Sequence, residues 1–238
     1  MEQMRSLCLI MVLGLAAASA CRPKANPLDP SDSPEKSQCP PNVGMISDGE
    51  NKNQSAVIEG RGGYWYTFLD KAGSTITPTS GALGGTFVMT EGGHDGTGHA
   101  ARMYGTVGGG DVVYAGMGVN FVDPKGQYDA SKYKGISFYA KKAAGTGNIR
   151  LKVPDVNTDP DGKVCSECFN DFGADIALTE QWQRYYFPFS RLKQMKGWGN
   201  PLKGHIEPST LYGLQWQVNE KNTPFDVWVD DVQFTGCE

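Results

Sequence analysis

The residues able to do chemistry in this chain are few and loosely placed. Its three histidines are His94, His99 and His205. His94 and His99 fall in the glycine-rich stretch from Glu91 to His99, at an odd spacing that puts them on opposite faces of a regular strand. Only a loop would close them into a zinc pair. Asp155, Asp159, Asp161, Asp171 and Asp175 offer carboxylate pairs of the kind that hydrolyse glycosidic bonds. Much of that segment, however, is turn sequence such as Asp159-Pro-Asp-Gly162, where aspartate serves the backbone. No Gly-x-Ser-x-Gly or His-Glu-x-x-His motif occurs, and Gly108-Gly-Gly110 lacks the lysine and helix of a phosphate loop. The expectation is a protein that breaks no bond.

Cysteine is the next reactive type. Of six, Cys8 lies in an apolar leader and Cys21 directly follows Ala18-Ser-Ala20, leaving Cys39, Cys165, Cys168 and Cys237. An even remainder in an exported chain reads as two disulfides, with three connectivities open. The ends of a single compact domain often lie close together, which favours Cys39 with Cys237 and Cys165 with Cys168. Cys165-Ser-Glu-Cys168 is also a redox or half-zinc spacing. The helix start that a redox dithiol needs and a second Cys-x-x-Cys are both missing.

Residues 1–20 have the form of a signal peptide, with Arg5 ahead of an apolar run from Leu7 to Leu15 that is too short to span a bilayer. Cys21 after three small residues resembles the bacterial lipobox, with Ala18 where leucine is usual. The expectation is a lipid anchor at Cys21, the alternative being ordinary cleavage near Ala20. Two or more acyl chains give lasting attachment to a bilayer, and Arg22 favours the outer over the inner membrane of the cell envelope. Residues 21–40 hold prolines at 23, 27, 30, 34 and 40 and no aromatic residue, so they read as a tether.

From 41 to 238 the sequence changes to short alternating runs cut by Gly, Pro, Asn and Asp, the pattern of an all-β antiparallel sandwich. The expected strands are 64–69, 86–89, 99–104, 112–122, 135–141, 148–153, 176–178, 182–189, 211–218 and 225–234, with one helical turn near 191–195. Three alternate cleanly. Ile136, Phe138 and Ala140 oppose Tyr139 and Lys141. Ile149, Leu151 and Val153 oppose Arg150 and Lys152, and Leu214, Trp216 and Val218 oppose Gln215 and Gln217. A formal charge of −4 with no basic cluster excludes a nucleic-acid footprint.

Several stretches in order resemble the galactose-binding-like jelly-roll carbohydrate-binding modules, family 11 modules in particular. They are Met45-Ile-Ser-Asp-Gly-Glu50, Gly60 to Phe68, Tyr128 to Lys141, Trp182 to Ser190 and Phe225 to Phe234. The resemblance implies two facing antiparallel sheets and a structural Ca²⁺ between the first acidic segment and the last strand. The oxygen ligands would be Asp48, Glu50, Asp230 and Asp231, with Ser47 where the family has an acid. Regular alternation would let only one of Asp230 and Asp231 ligate. It also implies a polysaccharide or oligosaccharide partner on one sheet face. Sugar CH faces stack on aromatic rings and hydroxyls need planar polar groups, so the expected contacts are Tyr139, Arg150, Lys152, Gln215 and Gln217, with Trp65 and Tyr114 as further candidates; Trp65 reads equally well as core, since Tyr64 and Tyr66 on either side leave its parity open. The expected function is a non-catalytic glycan-binding surface lipoprotein. The alternatives are an envelope assembly protein with a protein partner, or a cryptic glycosidase or lyase.

Overall fold

A computed structural model describes residues 39–40, 43–56, 62–79, 81, 86–96 and 98–237. The signal peptide, Cys21 and nearly all of the tether lie outside the described residues.

Thirteen strands form the described fold. They are β1 (Met45–Ser47), β2 (Ser55–Ala56), β3 (Gly62–Leu69), β4 (Thr75–Thr77), β5 (Thr90–Glu91), β6 (His99–Thr106) and β7 (Ala115–Val122). The rest are β8 (Gly135–Gly145), β9 (Asn148–Val153), β10 (Phe172–Ala177), β11 (Gln183–Pro188), β12 (Gly213–Val218) and β13 (Pro224–Thr235). One sheet runs β11-β8-β13-β6-β4, with β1 on β13 and β5 on β6. The other runs β10-β9-β12-β7-β3-β2. The named strands pair antiparallel and mostly with non-consecutive neighbours, giving a jelly-roll sandwich.

Alternation explains the layers. On β9, Ile149, Leu151 and Val153 turn to the core, and on β12 Leu214, Trp216 and Val218 do the same. The first sheet answers with Met103, Phe138, Phe187 and Phe234. Trp216 joins the layers: its ring stacks on Trp65 at 5.4 Å and meets Phe138 edge-on at 5.3 Å. Each such side chain contributes about 1.5–3 kcal/mol by leaving water.

Trp65 is therefore core and not a ligand contact. It is 2% exposed, also stacks on Phe87, and donates its indole N–H to Ser47 Oγ at 3.0 Å. Tyr64 and Tyr66 on either side conceal its parity in the sequence, but they face the other way. Ser47, in place of an acid, caps the buried indole.

Other departures are local. Residues 86–89 form no strand, burying Phe87 and Met89, and only Thr90–Glu91 joins β6. Residues 112–114 are loop, and β10 begins at Phe172, ahead of the expected 176. The single-turn helix lies at Phe189–Arg191, with two more at Pro160–Gly162 and Pro208–Thr210.

Cys39 and Cys237 are bonded, their Cα atoms 5.2 Å apart across 198 positions, and Cys165 is bonded to Cys168. In the chain-entropy account the long ring stabilises the fold by about 5 kcal/mol.

Candidate functional site

The outward face of the second sheet carries a groove of about 1120 Å³. Its floor follows from cross-strand register. Tyr66 on β3 stands beside Gly118 on β7, Gln215 on β12, Lys152 on β9 and Gly173 on β10. The next row is Phe68, Gly116, Gln217, Arg150 and Asp175. Strands lie about 4.8 Å apart, so each row crosses roughly 19 Å of sheet.

Glycine at 116 and 118 lets the aromatic rings lie down across β7. A Cβ at Gly116 would sit 2.3 Å from Phe68 Cζ, and one at Gly118 would sit 2.7 Å from Tyr66 Cζ and Oη. Tyr66 reaches over Gly118 to accept a hydrogen bond from Gln215 Nε2 at 2.9 Å. Burial pushes its hydroxyl well above the ordinary tyrosine range, so it stays protonated. Tyr64, Tyr66, Phe68 and Tyr114 form a run of rings with successive centroids 6.3, 6.1 and 6.2 Å apart.

Tyr114 comes from the loop before β7 and is pinned by Asp70. The Asp70 carboxylate accepts the Tyr114 amide at 2.7 Å, the Ala72 amide and the Ser74 hydroxyl. Burial pushes the Asp70 carboxyl up, but these hydrogen bonds outweigh it and hold it below the ordinary 3.8.

The groove's cations are largely spoken for. Lys152 Nζ lies 3.0 Å from Asp171 and reaches Gln217 Oε1 at 3.4 Å. Arg150 bonds Asp175 at 3.0 Å and the Lys193 carbonyl at 2.7 Å. Lys125 bonds Asp159 at 2.7 Å and Asp161 at 3.0 Å. Burial opposes its charge, but these bonds raise its pKa overall. Lys221 lies on the exposed rim.

The acids singled out as possible hydrolytic pairs thus stand mostly in ion pairs. Asp155 is instead a buried loop staple, accepting the Asn157 and Glu207 amides at 2.9 Å. Burial raises its pKa despite those bonds.

The second wall comes from the connections 154–171 and 189–212, where Phe169, Met195 and Trp198 are exposed apolar side chains lining the groove. Sequence reading finds neither these residues nor Tyr64, Tyr66 and Phe68. The signal for the latter was present as alternate aromatics from 64 to 68. The wall residues lie in irregular loops and left none.

Tyr114, Arg150, Lys152, Gln215 and Gln217 come together in this groove. Tyr139 does not. It lies on β8 of the other sheet, where the His94 ring stacks on it at 3.8 Å. Parity told which side of its own sheet Tyr139 faces, not which sheet it belongs to.

His94 belongs to a second, smaller pocket of about 300 Å³, lined by Asp48, Glu50, Asp95, Asp230 and Asp231. Both adjacent acids reach it, contrary to the expectation from alternation. The β13 register shifts after Asp230, and Asp231 takes a left-handed φ of 45°. His94 Nδ1 lies 3.1 Å from Asp231 and 3.6 Å from Asp230, and the His94 amide donates to Asp230 at 2.8 Å. Burial, and then the neighbouring Asp231 charge, push Asp230 up to about 6, against the His94 hydrogen bond. Burial likewise raises Asp231. Glu50 accepts the His99 amide at 2.8 Å, and Asp48 accepts the Glu50 amide at 3.1 Å. The donor set is the oxygen-rich kind that hard cations take. Among the described residues, no three His, Cys, Asp or Glu side chains already stand in metal-holding geometry.

Residues 90–236 match the sequence profile of the family described as carbohydrate binding domain 30. No curated protein matches the chain. Among solved structures it is similar to the family 11 carbohydrate-binding module of the cellulosomal cellulase Lic26A-Cel5E of Clostridium thermocellum. That match has 18% identity, covers 73% of this chain and 88% of that one, and gives a TM-score of 0.52. A Clostridium thermocellum family 11 module in complex with a β-1,3-1,4-mixed-linked tetrasaccharide matches with 18% identity, 73% and 89% coverage and a TM-score of 0.52. The solution structure of CtCBM11 matches with 18% identity, 84% and 99% coverage and a TM-score of 0.56. At this identity the likeness establishes a shared fold.

Proposed function

We propose that this chain, which belongs to the carbohydrate binding domain 30 family, binds a neutral polysaccharide in the groove of its second sheet and does so without catalysis. The observation that carries this reading is the row of rings from Tyr64 to Tyr114, of which Tyr66 and Phe68 lie over glycines, with Gln215 and Gln217 beside it. A flat sugar ring gains from burying its CH face on such rings, while amides and hydroxyls satisfy its hydroxyl groups. The pairing of Lys125, Arg150 and Lys152 with internal carboxylates supports a neutral ligand over a polyuronate. The same ion pairs support binding over hydrolysis, since the acids are committed to lysine and arginine. The family 11 module solved with a mixed-linked tetrasaccharide makes β-glucans the first class to try.

The acidic pocket extends the proposal. Asp48, Glu50, Asp230 and Asp231 would hold a Ca²⁺ that fastens the segment after β1 to β13, with backbone carbonyls and water completing six to eight oxygens. The form of the leader and Cys21 after Ala18-Ser-Ala20 support reading the module as a lipid-anchored receptor of the cell envelope, the outer membrane being favoured.

The test is a binding panel of neutral β-glucans, xylan and mannan against pectate and alginate, run with and without chelator. The expected result is retention by at least one neutral chain and none by the polyuronates. Binding to no neutral glycan, or preference for a polyuronate, overturns the reading. Chelator should lower the unfolding temperature, with recovery on adding Ca²⁺; no shift in either direction removes the metal from the account.

A further inference from the structure

We propose that Phe169 is a ligand-contacting side chain of the groove and that the Cys165–Cys168 disulfide holds it in place. This rests on the reading of the groove as a glycan site.

Phe169 is 58% exposed, and its backbone adopts a φ of 72°. A bulky L residue is strained there, and an exposed ring recovers little of that strain by burial. Such a conformation persists only where the surroundings impose it, and it concentrates at ligand sites.

The imposing contacts are on both sides of the residue. The disulfide closes a ring spanning three sequence positions directly ahead of it, and Cys168 itself lines the groove. The Phe169 amide donates to the Thr158 carbonyl at 2.9 Å. On the other side, Asn170 is buried and acts as a clamp. Its Nδ2 donates to the carbonyls of Met195 at 2.8 Å and Trp198 at 2.6 Å, and its Oδ1 accepts the Met195 amide at 2.9 Å. One short segment thereby presents Phe169 and fixes the loop that presents Trp198.

Stability is a small part of what this disulfide supplies. In the chain-entropy account so short a ring contributes about 2 kcal/mol, against about 5 kcal/mol for the 198-position ring closed by Cys39 and Cys237. A redox role lacks its setting, since Cys165 opens no helix and follows Lys163 in the left-handed region. The next residue adds a ligand-directed feature. Asp171 is 2% exposed and lines the groove, and its Oδ1 is buried without a hydrogen-bond partner among the described residues. An exposed ring two positions from a buried acceptor is what a sugar's CH face and hydroxyl require.

The test is calorimetric titration of the oxidised protein with the neutral panel, starting from the β-1,3-1,4-linked tetrasaccharide. It compares the parent, Phe169→Ala, Phe169→Trp, the Cys165→Ser/Cys168→Ser double variant and the triple variant that adds Phe169→Ala. Phe169→Ala should weaken binding about tenfold, Phe169→Trp should restore it, and the double variant should lose about three- to tenfold. Unfolding temperatures should stay within a few degrees of the parent for the Phe169 variants and fall by about 4–8 °C where the disulfide is removed, so every titration is run well below the transition. If the disulfide acts through Phe169, the triple variant binds no worse than Phe169→Ala alone; independent losses would multiply. Parent-like binding by Phe169→Ala, or multiplied losses, overturns this inference while the glycan reading stands. A parent that binds nothing in the panel overturns both.

Discussion

Gly116→Ala separates the aromatic platform from the fold beneath it. The added Cβ would lie 2.3 Å from Phe68 Cζ and 2.8 Å from both Cε atoms, so its three nearest contacts are all with that ring. Phe68 is only partly buried, so it can lift away without opening the core. The cost to the fold is that of an off-rotamer side chain, about 0.5–1.5 kcal/mol, or a fall of about 1–6 °C in unfolding temperature for a domain of this size. The cost to binding is one displaced ring. Stacked aromatic contacts contribute about 0.5–1.5 kcal/mol beyond area, which is about two- to tenfold in affinity. Gly118→Ala is the contrasting case, because its Cβ also meets the Leu214 carbonyl at 2.8 Å. That variant should lose stability as well as affinity. Calorimetric titration beside differential scanning calorimetry reads both quantities. Parent-like affinity in Gly116→Ala, with Phe68 shown displaced by its aromatic resonances, would refute the claim that ligand lies along β3.

Two further outcomes test the scaffold. Trp65→Ala should cost about 3–5 kcal/mol in urea denaturation, because the indole sits between Phe87 and Trp216; a loss under 1 kcal/mol contradicts its place in the core. Asp70, held below 3.8, contributes stability at neutral pH that disappears as pH falls through its lower folded value. Asp70→Asn should therefore lie well below the parent at pH 7 and approach it in strong acid, and a gap that does not narrow with acid would count against this assignment.

Much of the fold was legible because strands with one wet face advertise themselves. Asn148–Val153 reads correctly to the residue, since Ile149, Leu151 and Val153 alternate against Arg150 and Lys152. The same periodicity placed Gln215 and Gln217 outward. Where all neighbours are aromatic it fails: Tyr64, Trp65 and Tyr66 carry no contrast, so the sequence does not separate the buried Trp65 from Tyr64 and Tyr66, which line the groove. Period two also says nothing of which sheet a strand joins, and for that reason Tyr139 was grouped with residues on the far side of the sandwich. At Asp230 and Asp231 the alternation is broken by a bulge and a left-handed residue, which regular-strand reasoning excludes. The Phe169 and Trp198 wall depends on Asn170 joining two irregular loops, a long-range hydrogen-bond set that leaves no periodic trace.

The central claim is that one face of one sheet takes the glycan. The most direct measurement is an amide chemical-shift titration of the protein with the neutral oligosaccharide that binds best in the panel. The account predicts perturbations at Tyr66, Gly116, Gly118, Gln215 and Gln217, with the outer face of the first sheet at Tyr104, Lys141 and Trp228 left unmoved. Perturbations confined to that first sheet, or none anywhere along β3, β7 and β12 at saturation, would contradict it.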